Sequence, residues 1–249
     1  MMQPTEPRPV ALITGAAKRV GATIARTLHA AGYDLVLHYR HSRDEMETLC
    51  AELDGARPAS VVSIAADLAD VDALPRLVDA GTARFGRLDA LVNNASSFFA
   101  TPIGTISTAQ WDELFASNAR APLFLAQAAA PALRAARGAI VNIVDIYAQR
   151  PLGGHPVYSM AKAALAMMTL ALAKELGPDV RVNGVAPGAV LWPDTGKSYA
   201  DRDELIARTP LQRAGAPEDV AAAVLFLLRD ATFTTGQILA VDGGRSLSA

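Results

Sequence analysis

Seven short apolar runs rich in β-branched residues, alternating with longer Ala/Leu-rich stretches, constrain this 249-residue chain more than any other feature. The runs are Val10–Thr14, Asp34–Tyr39, Val61–Ala65, Ala90–Asn93, Ala139–Val144, Arg181–Val185 and Gln237–Val241. Helical periodicity fills the intervals, at Val20–Ala31, around Glu45–Leu53, and at Val71–Arg84, Thr108–Arg134, Val157–Leu176 and Pro217–Leu228. Strands that are apolar on both faces, each followed by a helix, predict a parallel sheet covered on both sides. The expected fold is therefore α/β: one Rossmann-type, doubly wound, seven-stranded parallel sheet with helices on both faces. With 51% hydrophobic residues the chain has ample material for one core. No linker, repeat or low-complexity tract divides it, so residues 9–249 read as a single domain behind a flexible lead of residues 1–8. The segment Leu191–Asp203, rich in Pro, Gly and polar residues, is the expected place for a mobile lid.

In such sheets ligands collect beyond the carboxyl ends of the strands. Thr14-Gly15, Arg40-His41, Asp67, Asn93-Asn94-Ala95, Asp145 and Pro187-Gly188 all fall there. The first strand leads into Thr14-Gly15-Ala16-Ala17-Lys18-Arg19-Val20-Gly21, a glycine turn opening a helix whose free N–H groups suit a pyrophosphate. Arg19 stands where a middle glycine is usual, and can reach phosphate or an anionic edge of a substrate. The second strand exits through Tyr39-Arg40-His41-Ser42. A dinucleotide site that prefers NAD places Asp or Glu at about this distance from the glycine turn. Guanidinium and hydroxyl donors there suit a 2′-phosphate instead, so NADPH is the expected cofactor. Asp67-Leu68 either meets the adenine or caps the next helix, and Ser42 is in addition a candidate helix N-cap.

Tyr158 and Lys162 stand at i and i+4, on one face of a helix. A free phenol, with pKa near 10, is too weak an acid or base at neutral pH, and a neighbouring ammonium lowers that value. Lys162 also has donors to offer to ribose hydroxyls.

Taken together the Thr14–Gly21 turn, Asn93-Asn94-Ala95, Asn118, Tyr158/Lys162 and Pro187-Gly188 resemble the short-chain dehydrogenase/reductase family in order and spacing, over residues 9 to 246. The resemblance implies NAD(P) use, a role for Asn118 in a water relay to Lys162, and commonly a homotetramer. A closer resemblance within that family is to the pteridine reductases, especially their bacterial branch. It rests on Arg19 in the turn, on Asn94-Ala95-Ser96-Ser97-Phe98-Phe99, on Asp145 lying 13 residues before Tyr158 where most members carry a catalytic Ser, and on Pro187 to Pro193, including Trp192. It implies substrate contacts from Arg19, Ser96, Phe98, Asp145, Tyr158 and Trp192, with Phe98 offering a flat face to a pterin ring. Asp145 beside the phenol keeps it protonated or itself passes a proton, which suits a C=N bond. Some pteridine reductases send an arginine near the C-terminus into a neighbouring site. Here Ala249 occupies that place and Arg245 is the available substitute.

The function implied is NADPH-dependent reduction of a dihydropterin or dihydrofolate. A carbonyl reductase of the same family and a non-catalytic NADP(H) sensor remain alternatives. A net charge of −2 gives no footprint for nucleic acid. The longest apolar run, 11 residues from Ala163 to Ala173, is short of the roughly 20 that span a bilayer. The first nine residues lack a leader pattern, and the lone Cys50 fits a reducing compartment. A cytoplasmic protein acting on a small molecule is expected. His29, His38 and His155 lack metal-ligand spacing, so no metal site is expected.

Overall fold

A computed structural model of the protein describes residues 8–190 and 202–247. Residues 1–7 of the expected lead, Trp192 and most of the expected lid lie outside them. Seven parallel strands form one sheet, β1 (Val10–Ile13), β2 (Asp34–Tyr39), β3 (Val61–Ala65), β4 (Ala90–Asn93), β5 (Ala139–Ile143), β6 (Arg181–Pro187) and β7 (Ile238–Val241). Their order across the sheet is β3-β2-β1-β4-β5-β6-β7. The chain winds one way from β1 through β3, then returns to place β4 on the other side of β1. The crevice between the exits of β1 and β4 is where such folds bind ligands.

The helices are α1 (Arg19–Ala30), α2 (Arg43–Ala56), α3 (Leu74–Phe85), α4 (Thr108–Phe115), α5 (Ala121–Ala136), α6 (Pro156–Leu176), α7 (Arg202–Ala207) and α8 (Pro217–Leu225). One core layer joins α1, α2 and α8 to the sheet through Ile24, Leu28, Met46, Leu49, Val220 and Val224. The opposite layer is built from α3, α5 and α6, with Leu77, Leu125, Leu133 and Leu176 packed on Leu12, Leu91 and Ile140. The inner strands β2, β1, β4, β5 and β6 are buried on both faces, which is why they read as continuous apolar runs, whereas the edge strands β3 and β7 keep exposed residues. Helix α6, at 21 residues with mean hydropathy 1.3, is long and apolar enough by composition to cross a membrane. Here it packs on β6 and carries Tyr158 and Lys162 into the interior.

Three expected helices differ in detail. Val71–Arg84 divides into a 3-10 turn, Val71–Ala73, and α3. Pro75 has no N–H to continue a ladder from the preceding turn, which sets that boundary. Asp70, not Asp67, accepts the capping hydrogen bond, from the Asp72 N–H at 3.2 Å. Thr108–Arg134 opens on a capping box between Ser107 and Gln110, then is interrupted by a π turn at Ala116–Arg120 before α5 begins. The end of Pro217–Leu228 likewise becomes a π turn, Phe226–Asp230. Arg181 donates there to the carbonyls of Leu227 (2.6 Å), Leu228 (2.7 Å) and Ala231 (3.0 Å).

Candidate active site

A cleft of about 580 Å³ runs along the strand exits, lined by the glycine turn, residues 38–42, residues 67–69, residues 94–97, Asp145, Tyr158, Lys162 and Pro187-Gly188. Its floor at one end is the turn after β1. Gly15 has φ +63° and a Cβ there would lie 2.9 Å from the Ala95 Cα, so only glycine fits unstrained. A Cβ on Gly21 would meet the Gly15 carbonyl at 2.1 Å. Arg19 holds φ +57°, a conformation that glycine adopts more easily, so the arginine keeps the backbone shape a glycine would supply while adding a cation.

The turn is tied down from both neighbours. Thr14 Oγ1 accepts the N–H groups of Asn94 and Ala95, each at 3.0 Å. The Asn94 side-chain amide donates to the carbonyls of Thr14 (2.9 Å) and Gly15 (3.0 Å). Asn94, expected to contact cofactor, thus directs its donors at the turn itself. Gly15 N–H donates to His38 Nδ1 at 3.1 Å and Ala16 N–H to the His38 carbonyl at 2.9 Å. With those two amides engaged, a phosphate at this turn would be met by the first-turn N–H groups of Val20 and Gly21 in α1. His38 was set aside at the level of sequence. Its position at the end of an apolar strand, four residues before the basic turn ends, was the only available hint.

Beyond β2, Arg40 approaches Asp67 at 4.0 Å and Lys18 pairs with Glu45 at 3.2 Å, both pairs about half exposed. Ser42 sits at the N-cap of α2 without a side-chain capping bond. Asp67 accepts from the Ala69 N–H at 2.9 Å, which shapes the turn after β3. Tyr39, His41, Ser42 and Leu68 also line this end. The cleft, its glycine-only approaches and the outward N–H groups fit a nicotinamide dinucleotide.

At the other end Tyr158 Oη donates to Asp145 Oδ2 at 2.7 Å. The second oxygen of Asp145 accepts from the Tyr147 N–H at 2.9 Å, so the carboxylate both caps the turn Ile146–Ala148 and holds the phenol. Desolvation raises the Asp145 pKa above the usual carboxylate value, opposed by these two hydrogen bonds and by Lys162. Lys162 is fully buried and donates to the Ile143 carbonyl at 2.8 Å, with its Nζ 5.8 Å from the centre of the Tyr158 ring. Burial pulls its pKa down from 10.5 to about 8, against the attraction of Asp145. Asn118, in the π turn, donates through its side-chain amide to the carbonyls of Leu114 and Ser97, both at 2.9 Å. It accepts from Ser96 Oγ at 2.7 Å. Ser96 therefore lines the cleft while holding Asn118.

Phe98 stands beside the phenol. Its ring stacks on His155, 4.9 Å between centroids and 11° from parallel, and meets Tyr158 edge-on at 4.6 Å. It packs against a small apolar cluster with Leu114, Val157 and Tyr158. Arg245 reaches back to α7. It donates to the Leu205 carbonyl at 3.2 Å and lies beside Tyr147.

A dinucleotide cradle at the topological switch point, facing a phenol held by an ammonium-bearing helix, defines the class of nicotinamide-dependent oxidoreductases built on a Rossmann sheet. A family model described as Enoyl-(Acyl carrier protein) reductase matches residues 15–246. Pteridine reductase 1 of Leishmania tarentolae is 39% identical, covering 96% of this chain and 97% of its own. A Streptomyces violaceoruber protein named for ketoacyl reduction in granaticin polyketide synthesis is 40% identical, with 96% of both chains covered. L-xylulose reductase of Bos taurus is 37% identical over 94% of this chain and 95% of its own. The chain belongs to the short-chain dehydrogenase/reductase family.

Proposed function

We propose that the protein is an NADPH-dependent pteridine reductase, which reduces a C=N bond of a dihydropterin or dihydrofolate to the tetrahydro form. The observation that carries this reading is the 2.7 Å hydrogen bond from the Tyr158 phenol to Asp145. A ketone reductase needs a neutral donor beside the phenol to polarise a carbonyl. A carboxylate that accepts the phenol's hydrogen in that place instead opposes phenolate formation, so Tyr158 keeps the proton it is to deliver.

Reduced nicotinamide, when bound, supplies the hydride. Tyr158 Oη gives its proton to the ring nitrogen as the neighbouring carbon becomes C–H, so the C=N bond becomes an amine with two electrons and two hydrogens gained. Asp145 takes part by holding the phenol protonated beforehand and stabilising its reprotonation afterwards. Lys162, anchored by one N–H to Ile143, keeps further N–H donors for ribose hydroxyls and stabilises the transient phenolate. Arg40 and Ser42, with Lys18 nearby at that end of the cleft, would offer cationic and hydroxyl donors to a 2′-phosphate, which supports NADPH over NADH. Arg19 and Ser96, with Asp145 and Tyr158, orient the substrate. Phe98 contributes by buttressing Tyr158. The lone cysteine suits a cytoplasmic setting.

A carbonyl reductase is the second reading, favoured by the ketoacyl-reductase relative at 40% identity. Oxidation of NADPH against dihydrobiopterin, dihydrofolate and a set of ketones, with NADH as control, separates them. Asp145→Ser is expected to lower pterin turnover at least about 100-fold, corresponding to ~2.7 kcal/mol of lost transition-state stabilisation. Pterin turnover unchanged in that variant, or robust ketone turnover with none on pterins, would sink the pteridine reading.

A further inference from the structure

His38 lies buried at the end of β2, outside the Tyr158–Lys162 end of the cleft. Its ring and main chain hold three separate strand exits at once. Nδ1 accepts from Gly15 N–H at 3.1 Å, Nε2 meets the Ala66 carbonyl at 3.0 Å, and the His38 carbonyl accepts from Ala16 N–H at 2.9 Å. Gly15 opens the glycine turn after β1, Ala66 leads to Asp67-Leu68 after β3, and residues 39–42 continue directly from His38. Those three loops are the walls of the dinucleotide end of the cleft.

The hydrogen bonds fix the ring's protons. A backbone N–H can only donate, so Nδ1 must be bare, and a carbonyl can only accept, so Nε2 must carry the hydrogen. Burial lowers the His38 pKa, which keeps the ring neutral in this form. Few side chains offer an acceptor and a donor on opposite edges at this separation.

We propose that His38 is a positioning residue for the dinucleotide, one whose Nδ1 lone pair sets the glycine turn and so the direction of the α1 N–H groups. The assignment rests on the dinucleotide reading of the cleft. Three variants test it. His38→Asn can present an amide oxygen close to the place of Nδ1, His38→Gln an amide nitrogen close to the place of Nε2, and His38→Leu neither. Dissociation constants for NADPH are measured by fluorescence quenching, and kcat at saturating NADPH on the best substrate.

The leucine variant is expected to bind NADPH about 10- to 100-fold more weakly with kcat within about twofold of wild type, since the chemistry lies at the other end. The asparagine variant is expected to recover most of that affinity and the glutamine variant little of it. Should the leucine protein fail to fold, the asparagine–glutamine contrast still decides. Equal affinity in those two variants, an unchanged constant for His38→Leu, or a loss confined to kcat would overturn the role. Wild type binding neither NADPH nor NADH would instead overturn the dinucleotide reading on which it stands.

Discussion

At the scale of single residues, Lys162 shows what function costs this protein. An ammonium fully buried among apolar neighbours is destabilising, and a pKa pulled from 10.5 to about 8 corresponds to roughly 3 kcal/mol against the charged form. Because the folded value lies below the unfolded one, the unfolded chain holds the extra proton between about pH 8 and 10.5. Stability contributed by this group therefore rises with pH across that window. Lys162→Met is expected to remove that rise, to be at least as stable as wild type at pH 7, and to lose activity. Urea titrations at pH 7 and pH 9.5 check the first two statements. In wild type NADPH affinity should weaken as pH passes about 8, where the ammonium gives up the proton that donates to ribose. The methionine variant should lack that limb. A wild-type affinity flat to pH 10 would show that Lys162 does not hold the cofactor.

At the scale of elements, the π turn Ala116–Arg120 and the hydrogen bonds around it decide where α6 presents its chemistry. Asn118 satisfies the carbonyls of Leu114 and Ser97 and accepts from Ser96, joining α4 to the loop after β4. A second buried line runs from Asn93 to Asn142 (2.8 Å) and on to Thr169 (2.9 Å), fastening β4 and β5 to the middle of α6. Asn142 precedes Ile143, whose carbonyl receives Lys162, so sheet and catalytic helix share one register. Asn118→Leu removes the amide donor from the buried Leu114 carbonyl and the part-buried Ser97 carbonyl and is expected to cost about 1–3 kcal/mol in urea unfolding. It is also expected to lower kcat more than NADPH affinity, because the phenol end loses its support. A cost below about 0.5 kcal/mol would mean that water replaces the amide fully.

On the scale of the whole molecule, some apolar surface remains uncovered. Helix α6 exposes Met160, Met167 and Leu170 at spacings that put them on one side, and Leu123 is exposed on neighbouring α5. We propose that this face assembles the chain into a homotetramer, measured by light scattering as four times 26.1 kDa. Met167→Glu, which would bury a charge in such a contact, should reduce the species to dimers or monomers. Wild type running at 26.1 kDa would refute the assembly.

The order of strands and helices, the parallel sheet and the crevice between β1 and β4 were all legible in the sequence. Burial on both faces writes continuous apolar runs into the inner strands, and the glycine turn and the Tyr158/Lys162 spacing are local. Asp145 was legible as well, being a fixed distance along the chain from Tyr158. What depended on tertiary structure involved partners far apart in sequence. Phe98 stacks on His155 and meets Tyr158 edge-on, two contacts that its own segment does not announce. The Asn94 amide went to the Thr14 and Gly15 carbonyls. The helix expected over Thr108–Arg134 opened around Asn118, because carbonyls of two different segments competed for one amide. His38, silent in a periodicity, became the link between three loops through its two ring nitrogens. Apolar patterning is a property of each segment and survives in one dimension. Hydrogen bonds made by side chains are a property of pairs, and only folding brings the pairs together.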